Sequence, residues 1–391
     1  MKEQELVDFQ AQIRPLLADR CFQCHGPDGS AREGNLRLDR FEGATADLGG
    51  YKAVVPFDLE ASELVYRTGD KVFEEERMPP LDSGLILKPE EAELLHRWIE
   101  QGAVYKKHWS FTPIPGEVLV PQPQNSDAWV RDPLDAFVLA GLQQKGLSPN
   151  REAERTTWLR RVSFALTGLP PRPDTILTFL ADESDDAHER QVDNLLASPH
   201  LGERFARIWL DLARYADTYG YQADMARRVW PYRDWVINAY NSNQPFDAFL
   251  QEQLAGDLLP EATRAQRLAT AFQRLHRQTN EGGSVEEEFR AEYVADRVQT
   301  VGTAFLGLTF ECARCHDHRF DPILQEDFYG LSAFFDNIDE SGLYSHFTNA
   351  TPTPALLLPD AVQERAMELA DQALDTAETR WASAVKQARG A

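Results

Sequence analysis

The placement of four cysteines constrains this chain more than any other feature of its sequence. They form two CxxC pairs, and a histidine directly follows each pair: Cys21, Cys24 and His25, then Cys312, Cys315 and His316. The CxxCH pattern is the attachment sequence of c-type haem. The two thiols add to the vinyl groups of the porphyrin, and the histidine becomes the proximal ligand of the iron. The sequence therefore predicts two covalently bound haem c groups.

Two other uses of a CxxC pair fit this sequence less well. A structural zinc site takes four nitrogen or sulfur ligands, and neither motif has a second CxxC nearby. A thioredoxin-like redox pair is typical of a βαβ context, whereas the segments flanking these motifs have helical patterns. Four cysteines are also too few for a disulfide framework in a chain of 391 residues. Haem attachment is therefore favoured over both alternatives.

The first hundred residues have the element order of a small class I cytochrome c. An amphipathic helix is predicted over residues 1–20 and leads into the first CxxCH motif. A Met-Pro-Pro loop containing Met78 follows, and then a helix over residues 89–102. Thioether ligation opposite histidine raises the reduction potential and suits electron transfer, so Met78 is predicted as the sixth ligand of the first iron. His96 and His108 are the alternatives.

Several residues compete for the distal position on the second iron. His276 is the first choice, because it precedes a turn and a helix that leads back to the second motif. Met225 and His346 are alternatives, and an open distal position is another. His318 lies only two residues after His316, too close along the chain to reach the opposite face of the same iron. It would support the proximal side, bind a propionate or lie exposed.

An open distal position would allow chemistry at the second haem. In that case Glu281 or Arg297 could serve as an acid–base group or stabilise developing charge. The ordinary alternative for both residues is a helix-surface ion pair or a propionate partner.

The remaining pattern predicts a mainly α fold, with a class I cytochrome c-like module followed by a larger α-helical haem domain. Few segments alternate with period two, and most apolar positions recur with helical spacing. Four segments are predicted: a cytochrome c-like domain with the first haem over 1–108, a proline-rich linker over 109–130, an α-helical domain with the second haem over 131–338, and a loop and C-terminal helix over 339–391, which would begin a missing domain.

Charge and hydropathy exclude two classes of function. With 40 Lys and Arg against 63 Asp and Glu, the formal net charge is −23, which argues against nucleic-acid binding. No apolar run reaches the ~18 residues that a transmembrane helix needs. An acidic cytochrome is expected to meet a redox partner with a basic docking face.

Long strings of the chain resemble the planctomycete-type cytochrome c proteins, in which an N-terminal cytochrome c module precedes a helical domain that also carries CxxCH. The first module matches in RPLLADRCFQCHGPD, RMPP and RWIEQGA, and the second in WLDLARYADTYGY, NEGGSVEEEFR and LGLTFECARCHDHRFDPI. The resemblance implies haem attachment at all four cysteines and iron at His25 and His316, and it favours Met78. It also implies that the chain is truncated, because the family's usual C-terminal domain is absent.

These observations predict a di-haem c-type cytochrome that transfers electrons outside the cytoplasm. Covalent haem attachment takes place there, so a periplasmic or cell-envelope location is expected. An export signal should then precede Met1, because the first residues of this chain lack a signal-peptide pattern. Two alternatives stay open: a di-haem peroxidase- or oxidase-like oxidoreductase with an open second haem, and a surface module whose Trp- and Tyr-rich helices bind a partner or carbohydrate.

Overall fold

The computed structural model describes residues 6–69, 71–124, 129–344 and 351–390 of the chain. The helices of the first half are α1 Arg14–Arg20, α2 Phe22–His25, α3 Phe41–Ala44, α4 Glu63–Thr68, α5 Pro89–Glu100, α6 Pro133–Gln144, α7 Arg155–Thr167, α8 Pro173–Ala181 and α9 Ala187–Leu196. Those of the second half are α10 His200–Leu212, α11 Trp230–Asn241, α12 Phe246–Ala255, α13 Arg264–Ala269, α14 Glu286–Val301, α15 Gln325–Ser332 and α16 Ala361–Gly390.

The predicted mainly α fold is confirmed. The β-structure found in the described ranges consists of four isolated bridges, with no named strand. In those same ranges, no helix is both long and apolar enough to span a membrane.

The chain folds into two compact units that each combine separate stretches of sequence. The first consists of Met1–Arg204 with Val294–Asp336, and the second of Phe205–Tyr293 with Asn337–Ala391. The four segments predicted from the sequence divide the chain in another way and stay a prediction.

In the first unit, an apolar core holds the N-terminal module together. A π-helical turn over Phe9–Ile13 continues into α1, so Phe9, Ile13 and Leu17 are buried on one face. The rings of Phe9 and Tyr105 lie 4.6 Å apart, and those of Trp98 and Tyr105 lie 5.2 Å apart. The Tyr105 hydroxyl donates to the Leu38 carbonyl at 3.1 Å. This core joins α1 and α5, because Leu17 of α1 and Trp98 of α5 belong to the same buried cluster.

The end of α5 depends on one glycine. Gly102 has a φ of +101°, and an added Cβ would lie 2.5 Å from the Phe57 ring. Only glycine combines this backbone conformation with such a close aromatic neighbour. The turn reverses the chain and leads it to Tyr105. The predicted helix over 89–102 is therefore confirmed, with its end at Glu100.

A second, smaller cluster in the first unit joins α7, α8 and α9. Leu159, Phe179 and Ala187 are its buried members, one from each helix. The Trp158 and Phe179 rings stack 5.4 Å apart, and the guanidinium of Arg155 lies 4.2 Å from the Phe179 ring centroid. These contacts make the three helices one packed group.

The second unit is built around aromatic side chains that enclose a buried polar group. The Gln253 side-chain oxygen accepts hydrogen bonds from the Tyr232 hydroxyl at 2.6 Å and from Trp209 Nε1 at 2.9 Å. The Gln253 side-chain nitrogen donates to the Phe249 carbonyl at 2.9 Å. Phe249 also packs against the Trp209 and Trp235 rings. The amide thereby links α10, α11 and α12.

Candidate functional site

One turn of helix brings the first CxxCH motif onto a single face. Cys21 ends α1 and begins α2, and its carbonyl accepts the backbone N–H groups of Cys24 at 3.2 Å and His25 at 2.8 Å. Residues three and four positions apart share a helix face, so the two thiols and the imidazole lie together. Phe22, which lies between them in sequence, is buried in the apolar core of the module.

The residue after the motif must be glycine. An added Cβ at Gly26 would overlap the carbonyl oxygen of Phe22, and it would lie 2.7 Å from the Phe22 Cβ. The backbone then turns back along the motif, with Glu33 N–H donating to the Cys24 carbonyl and Leu38 N–H to the His25 carbonyl, both at 2.8 Å. The motif is thus fixed by backbone hydrogen bonds on both sides.

A cavity of about 410 Å³ lies against this face, and Met78 is part of its wall. Met78 N–H donates to the Arg67 carbonyl at 2.8 Å, which anchors the Met-Pro-Pro loop to the end of α4. The motif supplies Cys21, Cys24 and His25 to the same wall. The structure therefore brings the predicted proximal ligand, the predicted distal ligand and both thiols together around one space.

The wall of the cavity suits a haem group. Its volume falls in the range of ~300–1,000 Å³ typical of cofactor sites. Much of the lining is apolar, contributed by Leu36, Leu38, Leu48, Leu64, Leu85, Leu87 and Leu95. His25 Nδ1 is buried without a hydrogen-bond partner. An imidazole nitrogen, a thioether sulfur and two thiols around an apolar space are the donor set of a covalently attached His/Met haem.

Burial also sets the protonation states of the attachment groups. Desolvation lowers the pKa of His25, which favours the neutral imidazole that metals bind. Desolvation likewise raises the pKa of Cys21 to about 12, so its sulfur is a neutral thiol at physiological pH. The neutral imidazole and the neutral thiol are the forms that an apolar cavity accommodates at least cost.

The two alternative ligands of the first iron lie elsewhere in the described part of the module. His96 and His108 are not among the residues that line the cavity. His108 Nδ1 is 2.5 Å from the Ser110 hydroxyl, and His96 belongs to α5. Of the three candidates taken from the sequence, Met78 alone lines this cavity.

The second CxxCH motif lies at the surface of the first unit. A 3-10 turn over Glu311–Arg314 holds it, and Cys312, Cys315 and His316 are all exposed. The carbonyl of Cys312 accepts the Cys315 N–H at 3.3 Å and the His316 N–H at 3.4 Å. His316 Nδ1 lies 2.8 Å from the Asp317 carbonyl. A metal-binding histidine usually holds its second nitrogen in this way, leaving Nε2 for the metal.

His318 has a structural role in the loop after the motif. Its Nδ1 accepts the backbone N–H groups of Phe320 at 3.2 Å and Asp321 at 2.9 Å, and its own N–H donates to the Ile323 carbonyl. The side chain is buried, and desolvation lowers the pKa of its imidazole. A neutral ring with Nδ1 as acceptor organises this turn. His318 is therefore not the exposed residue that the sequence allowed.

The loop after the second motif contacts the N-terminal module within the same unit. The Arg14 guanidinium on α1 donates to the Phe320 carbonyl, and Arg319 Nη2 lies 3.5 Å from the Asp19 carbonyl. The two CxxCH motifs, far apart in the sequence, thus belong to neighbouring parts of one compact unit.

His276, the predicted second distal ligand, belongs to the second unit and is buried. Its Nδ1 lies 2.9 Å from the Arg277 carbonyl and its Nε2 lies 3.4 Å from a carboxylate oxygen of Glu340. The ring stacks on Tyr293 with 4.4 Å between centroids. Iron ligation by His276 stays a prediction, and it would require the ring to give up one of these polar contacts.

The other candidates from the sequence lie in different surroundings. Met225 lines a cavity in the second unit, and its sulfur accepts a hydrogen bond from Asn280 at 3.2 Å. Glu281 is exposed and Arg297 is buried. His346 lies outside the described residues. Over the described ranges, no three His, Cys, Asp or Glu side chains form a metal-binding group.

Comparison with known families adds two matches. Residues 21–82 match the family described as planctomycete cytochrome C, which supports covalently bound haem c at the first motif. Residues 133–340 match the family described as a protein of unknown function, DUF1549, and include the second motif. No curated protein and no solved structure gave a significant match. Because the second match covers more than half of the chain, the protein belongs to the DUF1549 family, and it carries a planctomycete cytochrome C region before that domain.

Proposed function

We propose that this protein is a di-haem c-type cytochrome that carries electrons outside the cytoplasm. The observation that supports it most is the cavity whose wall contains Cys21, Cys24, His25 and Met78. A haem attached there would supply one-electron redox chemistry. The thioether ligand would favour the reduced form and give this site the higher potential.

The surrounding residues would hold the cofactor and exclude water. The Cys21 and Cys24 thiols would fix its position covalently, while the leucine lining would keep the environment apolar. Arg20 and Arg67 also line the cavity and would bring positive charge to the anionic edge of the haem. The hydrogen bond from Met78 N–H to Arg67 would hold the sulfur in place.

A second haem at Cys312, Cys315 and His316 would make the protein a two-centre carrier. The contacts of Arg14 with Phe320 and of Arg319 with Asp19 support a short path between the centres, because they hold the second motif's loop against α1. Electrons would then pass within the first unit, and one exposed motif would receive or deliver them at the surface.

The external partner would be a basic redox protein. With a net charge of −23, the chain attracts a positively charged docking face and repels an acidic one. A location in the periplasm or cell envelope is part of the same proposal, because haem c is attached outside the cytoplasm.

A redox enzyme is the second candidate, and the surroundings of His276 favour it. Both ring nitrogens of His276 contact other groups, the Arg277 carbonyl and the Glu340 carboxylate. A second iron without this ligand would keep an open position for peroxide or another substrate. Resting-state EPR and optical spectra with added cyanide separate the candidates, since an open five-coordinate iron is high-spin and binds cyanide directly, whereas a six-coordinate iron must first lose a ligand. Ligation of the second iron by His276 predicts the six-coordinate result.

A haemochrome assay on exported, matured protein tests the number of cofactors. The intact chain should contain two haems. The pair Cys21→Ala/Cys24→Ala and the pair Cys312→Ala/Cys315→Ala should each contain one, so that each double variant is the matched control of the other. A single haem in the intact protein, lost only with the first pair, would contradict the di-haem proposal and leave a mono-haem cytochrome.

A further inference from the structure

We propose that the second unit contains a binding site for a small hydroxylated carboxylate, of the size of one sugar acid. This proposal goes beyond electron transfer, because it concerns a different unit from either CxxCH motif. The proposal is based on two cavities in this unit, of about 250 and 150 Å³. They adjoin, since Tyr219, Gln278, Thr351 and Pro352 line both.

Backbone hydrogen bonds hold the shared wall in place. Gln278 N–H donates to the Tyr219 carbonyl at 3.1 Å, and Tyr219 N–H donates to the Met225 carbonyl at 2.9 Å. On the other side, Tyr344 N–H donates to the Thr279 carbonyl at 3.2 Å. Four stretches of chain therefore lie side by side, and their backbone hydrogen bonds preorganise the wall for a ligand.

The smaller cavity contains an uncompensated positive charge. Arg227 is only 8% exposed, and its guanidinium donates to the carbonyls of Ala216, Arg274, Leu275 and His276. No carboxylate of the described chain forms an ion pair with it. Its neighbour Arg274, by contrast, has its charge balanced by Glu340 at 2.6 Å. A buried charge is costly unless it is paired, so an anionic group beside Arg227 would be stabilised.

The exposed Arg228 adds a second positive charge next to Arg227, because it also lines the smaller cavity. A carboxylate entering from solvent would therefore meet the guanidinium groups of Arg227 and Arg228, and also that of Arg274, which is already paired with Glu340. Arginine forms strong, charge-assisted hydrogen bonds to carboxylates. The anionic end of the ligand is assigned to this side of the site.

The shared wall also contains an acceptor that lacks a donor. Gln278 is 5% exposed, and its side-chain oxygen is buried without a hydrogen-bond partner. An unsatisfied buried carbonyl is costly in proteins, so a ligand hydroxyl that donates to it would bind favourably. A hydroxyl close to the anionic group is therefore the second feature required of the ligand.

The larger cavity suits the remainder of a polyol. Asp224 and Asn280 provide polar groups, and Tyr219 and Tyr344 provide aromatic surface. The combined space is near the lower end of the ~300–1,000 Å³ typical of ligand pockets, which limits the ligand to about one ring. A monosaccharide carboxylate meets all three requirements of charge, hydroxyl groups and size.

Isothermal titration of the haem-loaded full chain tests this site with D-glucuronate, D-glucose and inorganic sulfate. Glucuronate should bind with one-to-one stoichiometry. Glucose, which lacks the charge, and sulfate, which lacks the carbon-bound hydroxyls, should each bind at least about tenfold more weakly. No saturable binding of glucuronate, or binding of either comparison ligand as tight as that of glucuronate, would overturn the proposal.

Two variants locate the binding. Gln278→Leu should weaken glucuronate binding about tenfold, because the hydroxyl loses its acceptor. Arg228→Gln should weaken glucuronate binding but leave glucose binding unchanged. Gln251→Leu, at an exposed position of α12, is the matched control and should bind glucuronate like the parent protein. An unchanged haem spectrum and unfolding midpoint would show that each variant is folded, and parent-like affinity in a folded Gln278→Leu would contradict the assignment.

Discussion

His25 and Met78 line the same cavity although they come from different elements of the chain. His25 is the last residue of α2, whereas Met78 begins a Met-Pro-Pro loop that is anchored to the end of α4 through Arg67. Two rigid prolines restrict the backbone after the sulfur-bearing residue. The pairing of these two side chains is what the geometry adds to the first CxxCH motif, since the motif alone would supply only one axial ligand to a haem iron.

Replacement of Met78 should therefore alter one haem and spare the other. Met78→Ala is expected to lower the potential of the first haem by on the order of 100 mV, a fraction of the ~0.8 V over which axial ligands act. The potential of the second haem should stay nearly unchanged. Spectroelectrochemical titration measures both. Met367→Ala, at a half-exposed position of α16, is the control. Equal shifts of both potentials would show that Met78 is not a specific ligand.

Replacement of Gly26 should destabilise the N-terminal module through steric overlap. An added methyl group would collide with the Phe22 backbone and side chain, so Gly26→Ala is expected to lower the free energy of unfolding by ~1–3 kcal/mol. Urea denaturation followed at the haem absorbance measures the change. Gly116→Ala, where an added Cβ meets no atom within 4 Å, should be nearly neutral. A stability for Gly26→Ala equal to that control would mean that the backbone after His25 can move freely.

Loss of the Gln253 amide should weaken the second unit. Gln253→Leu removes the buried acceptor of the Tyr232 hydroxyl and one of two acceptors of Trp209 Nε1, which keeps the Tyr232 hydroxyl at 3.0 Å. We expect a loss of ~1–3 kcal/mol in the free energy of unfolding, because buried donors lose a partner. Chemical denaturation followed by tryptophan fluorescence reports it. Gln251→Leu on the exposed side of the same helix should change stability by less than ~0.5 kcal/mol. Comparable losses in the two variants would argue against the buried network.

The contacts of the Asp182 carboxylate, just before α9, should be lost in acid. Hydrogen bonds from Ser184 and Arg190 lower the pKa of Asp182 from 3.8 to about 2. Because the folded state has the lower pKa, this stabilisation is complete above about pH 4 and disappears as the pH falls towards 2. The urea midpoint of the parent protein should therefore fall more steeply between pH 4 and pH 2 than that of Asp182→Asn. Parallel curves would contradict the shift. Asp174→Asn on α8, at an exposed site, is the control.

Salt should slow electron transfer to a basic partner. The rate of reduction of a small basic cytochrome should fall as ionic strength rises from 10 to about 200 mM, since screening lengths shrink over this range. Reduction of ferricyanide, which carries negative charge, should instead become faster. Stopped-flow measurements with the two acceptors provide the comparison. A rate to the basic acceptor that is independent of salt would remove the support for an acidic docking face.

The sequence predicted the main helices because their apolar spacing and end signals are local. Within the described residues, the helix expected over 1–20 is found as the turn Phe9–Ile13 and α1, and the helix expected over 89–102 is found as α5. Gly102, at the end of the predicted range, has a φ of +101° just after α5. Each of these features is determined by a few neighbouring residues, so it can be predicted from the sequence alone.

The short helices and the long-range arrangement were not predicted. α8 and α13 have only 9 and 6 residues, too few for a clear helical period. The role of His318 was also missed, because its acceptors and donors are backbone groups that sequence patterns do not reveal. The unpartnered side-chain oxygen of Gln278 was missed for a similar reason. Gln278 lines the two cavities together with Tyr219 and Thr351, residues that come close to it only after folding.

The composition of the first unit has a consequence for the order of maturation. Its N-terminal stretch ends at Arg204, and its last piece, from Val294, is synthesised only after the intervening part of the second unit. The first CxxCH motif therefore leaves the ribosome long before Phe320 and Arg319, which follow the second motif, can contact Arg14 and Asp19. In the proposed di-haem protein, a haem-attachment enzyme would therefore encounter the first motif while the first unit is incomplete. It would encounter the second motif only once the segment that completes this unit has been synthesised.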